Sequence, residues 1–343
     1  MNALNILDVS ALIYTGSASE FYRERSNYGF YVGGIHYLMK QVAISFTMMD
    51  SVLLCFDSPS FRKELMAGYK AGRVFKPDVY TQIQFAFDSL LGCGFHCAKF
   101  DGYEADDIIS WASDKWYGDY SEIVIIGNDH DLCHNVRGKV RFKSIVPGTP
   151  CIYSGNFERF VDSTYTKFNT ISAKKCLCGC KSDKIGSMSL ACGLKGQKLY
   201  LEFLSFLEKN KVPSDYSTTA DPRYLVAFSK LSGLFTEDEQ KDIITRIKIV
   251  YPARCPDGAE LLPDNSVSVD LEKLFKFLSM VNDYDTIKCL HGKKAVLSEE
   301  EKQMLRDMGR KVSSGEFAAD NNLEVENSVH TKTLDFSSFT KEF

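Results

Sequence analysis

Several features are scarce in this sequence, and each scarcity excludes a class of protein. Only 9 of the 343 residues are proline, whereas 44% are hydrophobic and 25% charged, a composition typical of globular chains rather than disordered ones. The longest apolar runs, such as residues 51–56 and 123–127, fall far short of the roughly 20 residues that a membrane span needs. The N-terminal residues have neither the basic start nor the cleavable apolar run of a signal peptide. We therefore expect a cytoplasmic, monomeric protein that does not bind membranes.

Disulfide bonds are also not expected. The chain has 11 cysteines, an odd number that favours free thiols in a cytosolic protein. Cys176, Cys178, Cys180 and Cys192 are close enough in sequence for a zinc site to be an alternative. Their spacing differs from the usual pairs of zinc ligands, and small buried thiols are the other interpretation.

The charges are segregated along the chain. The net charge of −4 taken alone argues against a nucleic-acid-binding protein. Residues 101–131, however, contain nine acidic residues and one lysine, while residues 62–76 contain five basic residues and one glutamate. Residues 163–201 contain seven lysines and one aspartate. Clustered carboxylates need a cation among them, and clustered lysines favour phosphate, so this pattern indicates a metal pocket between two phosphate-binding blocks. Solvated helix faces are the alternative, which stays open above all for the lysines of residues 163–201.

Three short apolar runs predict buried parallel strands at residues 4–9, 51–57 and 122–129. Helical patterns lie between them, at about 30–48, 77–92 and 104–117, and this alternation predicts an α/β domain. Each run ends in an aspartate: Asp8, Asp57, and Asp129 with Asp131. Because the carboxyl ends of parallel strands form the ligand crevice of such sheets, we expect these carboxylates to meet there. Capping of turns is the alternative role for any one of them.

Five segments in order along the chain carry a family resemblance. They read Leu7-Asp8-Val9, then Phe56-Asp57 with Phe61-Arg62 and Tyr69-Lys70-Ala71-Gly72-Arg73, then Gly102-Tyr103-Glu104-Ala105-Asp106-Asp107, then Gly127-Asn128-Asp129-His130-Asp131, then Gly179-Cys180-Lys181-Ser182-Asp183-Lys184-Ile185. The chain resembles the structure-specific 5′-nucleases, which comprise flap endonucleases, bacteriophage 5′–3′ exonucleases and the 5′-nuclease domain of DNA polymerase I. The resemblance implies a PIN-like parallel sheet flanked by helices, with a helical arch and a helix–three-turn–helix element.

The resemblance also implies the residues of the site. It assigns two Mg²⁺ ions, with Mn²⁺ as a substitute, to a carboxylate pocket formed by Asp8, Asp57, Glu104, Asp106, Asp107, Asp129, Asp131 and Asp183. For Asp107 a helix cap is the alternative role. Lys70 and Arg73, and less directly Arg62, match residues that reach the scissile phosphate. The expected DNA-binding residues are Tyr69, Lys181, Lys184, Lys195 and Lys198, and core packing is the alternative for Tyr69.

The implied organisation has three parts. Residues 1–160 form the nuclease core, with an arch at about 58–100, and residues 161–311 form a helical DNA-binding region with the helix–three-turn–helix at about 165–207. Residues 312–343 form a flexible acidic tail whose phenylalanines suggest docking to a sliding clamp or a single-strand-binding protein. Packing of Phe336 and Phe339 back on the body of the protein is the alternative. The expected substrate is DNA with 5′ ends or flaps, without sequence specificity, or the RNA strand of a hybrid.

Two departures from the family pattern affect the cofactors. Cys180 stands where the family's turn has an aspartate, and a thiolate is a poor ligand for Mg²⁺, so we expect a weakened second metal site. Some members of the family bind a K⁺ ion in the same turn. The glycine pattern after Gly186 differs from theirs, so the resemblance does not extend to a K⁺ site here. The alternative function is a PIN-like ribonuclease or a non-catalytic nucleic-acid-binding protein.

Overall fold

The computed structural model describes residues 3–18, 31–47, 50–71, 76–146, 148–157, 170–212, 221–255 and 269–290, with scattered positions between 299 and 310. Arg73 and the tail at 312–343 lie outside these ranges, so the predictions for them stay predictions. Within the described ranges, no helix has both the length and the apolar character to cross a membrane.

Five parallel strands form one sheet in the order β3-β2-β1-β4-β5. They are β1 (Ala3–Asp8), β2 (Ser51–Cys55), β3 (His96–Ala98), β4 (Glu122–Gly127) and β5 (Val140–Ser144). Leu7 of β1 is paired with Leu54 of β2 on one side and with Ile126 of β4 on the other. The strand order therefore reverses at β1, and the ligand crevice is expected at the carboxyl ends of β1 and β4. The prediction of a parallel α/β fold is confirmed.

The helices surround this sheet and continue beyond it. They are α1 (Val9–Ala18), α2 (Gly33–Thr47), α3 (Arg62–Leu65), α4 (Pro77–Gly92), α5 (Ala105–Lys115), α6 (Ile171–Cys178), α7 (Gly196–Lys209), α8 (Pro222–Leu231), α9 (Glu237–Val250), α10 (Leu271–Met280) and α11 (Tyr284–Cys289). A 3₁₀ helix, His130–Asn135, follows β4. Helices α2, α4 and α5 lie within about three residues of the bounds that the sequence predicts.

The sheet is buried on both faces, which explains why its strands read as continuous apolar runs. Along β2, Val52 and Leu54 enter one hydrophobic core, and Leu53 and Cys55 enter the core on the opposite face. Successive strand residues point to opposite faces, so an uninterrupted apolar run supplies both cores at once.

The expected arch at about 58–100 is too long. Helix α4 packs its Val79 and Phe85 into the core, and β3 is the edge strand of the sheet. The apolar face of α4 and the strand pairing of β3 thus make residues 77–98 part of the nuclease core. What remains for an arch is the basic stretch before α4, of which residues 72–75 lie outside the described ranges.

The expected boundary at residue 160 is also incorrect in one respect. Helices α10 and α11 lie beyond it in sequence, yet they pack on the nuclease core rather than with the helical region. Leu274 and Phe277 belong to the same apolar cluster as α4, and the Phe277 ring lies 5.6 Å from that of Phe85. The Nε2 atom of His36, in α2, is 2.6 Å from the carbonyl oxygen of Val281, which directly follows α10.

Helices α6 to α9 form a separate apolar cluster. Helices α6 and α7 are connected by a turn segment, residues 179–195, which closes on itself through bridges between Cys180 and Ile185 and between Ser189 and Lys195. Gly179 has φ +82°, and a Cβ there would lie 2.6 Å from the carbonyl oxygen of Ile185, so the turn requires glycine. The described part of this arrangement is two helices joined by a turn, and its assignment as the helix–three-turn–helix element at about 165–207 stays a prediction. Residues 165–169 are not among the described ones.

Helix α9 braces that turn segment. Arg246 donates from one guanidinium nitrogen to the carbonyl oxygens of Gly186 (2.6 Å) and Cys176 (3.1 Å). Glu239 accepts a hydrogen bond of 2.6 Å from the backbone amide of Ala191. The turn is thus held by two side chains that no motif in the sequence identifies.

Candidate active site

Aspartates that follow three strands lie at the carboxyl edge of the sheet, as the sequence predicts. Asp8 accepts a hydrogen bond from the amide of Ala11 (3.0 Å), and Asp57 accepts one from the amide of Ala105 (2.8 Å). The Asp129 carboxylate accepts the amide two positions further on (2.9 Å). These amides orient the carboxylates and leave their remaining lone pairs free for another ligand.

Gly127 ends β4 beside Asp8. A Cβ on Gly127 would lie 2.9 Å from the end of the Leu132 side chain, which would have to shift, and 3.4 Å from the Cβ of Asp8, an ordinary van der Waals contact.

The carboxylates act on one another electrostatically. Burial, then repulsion from Asp57, raises the pKa of Asp8 to about 7. Burial also raises the pKa of Asp106, with Asp8 and Asp129 as the next causes. The pKa of Asp129 is raised by desolvation and by the neighbouring Asp131. Such mutual shifts indicate carboxylates close enough to repel one another, with more negative than positive charge among them.

The donor set fits a hard divalent cation. Asp8, Asp57, Asp106 and Asp129 offer only carboxylate oxygens, which Mg²⁺ and Mn²⁺ prefer. Among the described residues, no three acidic, cysteine or histidine side chains form a group already arranged to hold a metal ion.

The repulsion among these buried carboxylates is expected to lower the stability of the metal-free protein. Asp8 is 6% exposed, and Asp8→Asn keeps an oxygen acceptor for the Ala11 amide while removing the buried charge. We expect the variant to be more stable than the wild type in EDTA at pH 8, by roughly 2–4 kcal/mol of unfolding free energy. Urea denaturation with chelator measures the difference.

The sign of the effect depends on pH. Because the folded-state pKa of Asp8 is raised, its ionised form destabilises the fold above about pH 7. The advantage of Asp8→Asn should therefore decline as the pH falls through 7 and vanish near the unfolded pKa, about 4. A variant less stable than the wild type at pH 8 would contradict the clustering of these charges.

Arg62 was expected near the scissile phosphate, and the structure corrects this. Its side chain is 3% exposed and donates two hydrogen bonds to Asp107, of 2.6 and 2.7 Å, and one to Glu104, of 3.1 Å. It also donates to the carbonyl oxygens of Ile249 (2.7 Å) and Tyr251 (3.1 Å). Arg62 therefore links α5 to the end of α9 instead of facing a ligand.

Asp107 and Glu104 start helix α5 together. Asp107 is fully buried, and its carboxylate accepts a hydrogen bond from the backbone amide of Glu104 (3.0 Å). The Glu104 side chain accepts one from the amide of Asp107 in return, so the two residues form a capping box. Asp107 also accepts the amide of Ala253 (2.7 Å). Of its two expected roles, the structure favours the helix cap over the outer metal ligand.

Tyr69 and Lys70 both contact Glu104. The Tyr69 hydroxyl donates to one carboxylate oxygen of Glu104 (3.0 Å), and the Lys70 amine lies 2.5 Å from the other. Tyr69 is 5% exposed and packs against Ile185 and Ile249, so a role in stacking DNA bases is replaced by core packing. Lys70 adopts φ 53° and stays half-buried beside the carboxylates, which keeps a positive charge at the pocket.

The sequence analysis did not single out Lys175, which the structure places at the pocket. The Lys175 amine of α6 forms an ion pair with Asp183 of 2.6 Å and a second one with Asp131. Burial opposes the charged form of Lys175, yet Asp131 and Asp183 outweigh it and raise its pKa. His134 lines the same pocket, and burial lowers its pKa to about 4. In sequence Lys175 was only one of seven lysines in a basic block, and no spacing singled it out.

The four expected DNA-binding lysines of the turn region, Lys181, Lys184, Lys195 and Lys198, are all exposed. They lie on the turn segment between α6 and α7 or in the first turn of α7. Cys180 of the same segment packs beside Tyr69 and contacts the Ser182 hydroxyl at 3.0 Å from its sulfur.

The chain is similar to known proteins over parts of its length. A family model described as 5′-3′ exonuclease, N-terminal resolvase-like domain, matches residues 3–159. A 5′-3′ exonuclease of Mycoplasma genitalium is 25% identical over 237 residues, which cover 65% of this chain and 80% of the relative. A 5′-3′ exonuclease of Bacillus subtilis is 26% identical over 195 residues, covering 53% of this chain and 64% of the relative. DNA polymerase I of Caldicellulosiruptor bescii is 30% identical over 172 residues, 46% of this chain and 19% of that protein.

Among solved structures, the T5 5′-exonuclease with bound zinc covers 91% of this chain and 100% of its own, at 14% identity and a TM-score of 0.48. The matched family residues, 3–159, include β1 to β5 and every aspartate at the ends of β1, β2 and β4. Over residues 3–159 the chain is thus similar to the N-terminal domain of 5′-3′ exonucleases, and these residues contain the sheet and its strand-end carboxylates.

Proposed function

We propose that this chain is a divalent-metal-dependent 5′-nuclease that hydrolyses phosphodiester bonds of DNA near 5′ ends. The observation that carries the proposal is the group of four carboxylates, Asp8, Asp57, Asp106 and Asp129, at the carboxyl edge of the sheet. The raised pKa values of Asp8, Asp106 and Asp129 reflect an excess of negative charge that a cation would neutralise. The family match over residues 3–159 supports the same conclusion.

The roles of the residues follow from their positions. The four carboxylates would hold Mg²⁺, or Mn²⁺ in its place, and a bound ion supplies an activated water and neutralises charge at the phosphate. Lys70, held by Glu104 beside the pocket, would contact a non-bridging phosphate oxygen and stabilise the charge that develops there. A Lys70→Ala variant loses this charge without removing a metal ligand.

DNA binding is assigned to the exposed lysines between α6 and α7. Lysines contact the phosphate backbone rather than base edges, so they position a duplex without reading its sequence. The braced turn segment keeps these charges at fixed distances from the carboxylates. Phosphate contacts of this kind are the same for a flap and for a plain 5′ end, so they do not decide which of the two substrates is preferred.

The direct test is cleavage of 5′-labelled flap DNA with Mg²⁺, with Mn²⁺ and with EDTA. We expect cleavage near the junction or the 5′ end with either ion, and none with EDTA. Single-stranded RNA of the same sequence serves as the comparison substrate, since a PIN-like ribonuclease would cut it preferentially. Absence of DNA cleavage with both ions, or cleavage that persists in EDTA, would contradict the proposal.

A second prediction concerns the lysines at the start of α7. Replacing Lys195 and Lys198 with alanine should weaken binding of flap DNA and lower the slope of log K against log salt by about 1.8, because two phosphate contacts are lost. Fluorescence anisotropy in Ca²⁺ at several salt concentrations measures both quantities. Lys288→Ala, an exposed lysine on the core helix α11, is the matched control and should leave the slope unchanged. Equal slopes for all three proteins would refute the assignment.

Other expectations are carried forward as proposals. Binding of a sliding clamp or a single-strand-binding protein through residues 312–343, a monomeric state and a cytoplasmic location all agree with a replication or repair nuclease. Their tests are pull-down with a tail-deleted chain, sedimentation and cell fractionation.

A further inference from the structure

A lysine amine lies where two carboxylates from distant parts of the chain converge. Asp131 follows β4, and Asp183 belongs to the turn segment after α6. Lys175 bridges them, with 2.6 Å between its amine and an Asp183 oxygen and a second ion pair with Asp131. The Lys175 side chain is 16% exposed and that of Asp183 is 5% exposed, so this is a partly desolvated pair and not a surface contact.

The turn segment brings only one carboxylate to this position. The Cys180 sulfur contacts the Ser182 hydroxyl at 3.0 Å and lies against the Tyr69 cluster, and it does not line the pocket. A divalent cation between Asp131 and Asp183 would therefore have two protein carboxylates and would have to displace a bound ammonium. Hard cations bind weakly to so few charged ligands, especially opposite a fixed positive charge.

The charges of the two halves of the pocket differ. Asp8, Asp57, Asp106 and Asp129 carry four potential negative charges. Among the described residues none of them forms an ion pair with a lysine or arginine, and Lys70 and Lys175 act on Asp8, Asp106 and Asp129 only at longer range. Asp131 and Asp183 carry two, of which Lys175 compensates one within hydrogen-bond distance. An exchangeable divalent ion is therefore favoured at the first group and disfavoured at the second.

We propose that the Lys175 amine occupies the place of a second divalent cation, so that this protein binds one exchangeable metal ion and supplies the second positive charge from its own chain. This inference rests on the proposed nuclease function and specifies its cofactor requirement. An ammonium is a compact charge with three donors, so it can bridge two carboxylates and still direct one N–H bond toward a phosphate oxygen.

The test is the stoichiometry of Mn²⁺ binding to the full chain, measured by electron paramagnetic resonance titration and calorimetry without substrate. We expect one Mn²⁺ per wild-type chain. Lys175→Met, which has a similar length and no charge, should bind a second Mn²⁺, because the ammonium no longer lies between Asp131 and Asp183. Lys181→Met removes the same charge from an exposed position and should still bind one.

Each other outcome would overturn the inference. Two ions bound by the wild type, or one ion bound by a folded Lys175→Met, means that Lys175 does not replace a cation. Should Lys175→Met fail to fold, Asp183→Asn replaces it as the test and should leave the affinity for the single Mn²⁺ within about threefold. A tenfold loss would show that Asp183 ligates the ion.

The same experiment separates this inference from the function on which it rests. A wild type that binds two ions and cleaves flap DNA retains the nuclease function and loses the inference. A wild type that binds no ion and cleaves nothing overturns both.

Discussion

Replacement of Asp106 by asparagine is expected to reduce metal-dependent cleavage of 5′-ended DNA by about 10³-fold. A metal ion contributes several kcal/mol to transition-state stabilisation, and each 1.36 kcal/mol corresponds to a factor of ten in rate. Asp106 carries one of the raised pKa values in the pocket, next to Asp8 and Asp129. Losing its charge removes a ligand from the group best suited to hold the ion. Single-turnover cleavage of labelled flap DNA in Mg²⁺ gives the rate.

The control for Asp106→Asn is Asp119→Asn, a change of the same charge at an exposed residue of the same acidic block. That variant should cleave at the wild-type rate. DNA binding in Ca²⁺ should be preserved in both, since the binding lysines are untouched. Cleavage by Asp106→Asn at more than about a tenth of the wild-type rate would mean that this carboxylate does not serve the metal.

Replacement of Arg62 by methionine is expected to destabilise the fold by about 3–5 kcal/mol, the cost typical of breaking a buried ion pair. Asp107, which has no exposed surface, would then be a buried carboxylate without its cation. The carbonyl oxygens of Ile249 and Tyr251 would also lose their donor. Urea denaturation followed by circular dichroism measures the free energy of unfolding.

Two companion variants make the Arg62 prediction specific. Lys63→Met, at the exposed neighbouring residue, should change stability by no more than about 0.5 kcal/mol. The double variant Arg62→Met with Asp107→Asn should recover part of the loss, because the uncompensated charge is gone while an oxygen acceptor remains for the Ala253 amide. A double variant as unstable as Arg62→Met alone would show that lost packing, not charge, dominates.

The sequence predicted the parallel sheet and the position of the strand-end carboxylates well, because both follow from local pattern. An apolar run buried on both faces ends where the chain leaves the sheet, so Asp8 and Asp57 could be placed without knowing any distant contact. The start of helix α5 was also predictable, since its capping box lies within a few consecutive residues.

The roles of individual charged residues were harder to predict. Arg62 and Lys70 are both basic residues of one motif-bearing stretch, yet one is buried against Asp107 and the other lies beside the pocket. Lys175 meets Asp131 and Asp183 only because α6 packs against the 3₁₀ helix after β4. Asp131 and Lys175 are more than forty positions apart in sequence. Motif spacing does not show that two such distant residues form an ion pair.

The return of α10 and α11 to the sheet has a consequence for biosynthesis. These helices contribute Leu274, Phe277 and Ile287 to the apolar layer that also contains Val79 and Phe85. A ribosome that has synthesised only the family-matched residues, 3–159, leaves the apolar side chains of α2 and α4 that α10 and α11 cover exposed to water. This apolar layer is therefore complete only after residues 271–289 have left the exit tunnel. For the same reason, we expect a chain shortened to residues 3–159 to aggregate more readily than the full chain.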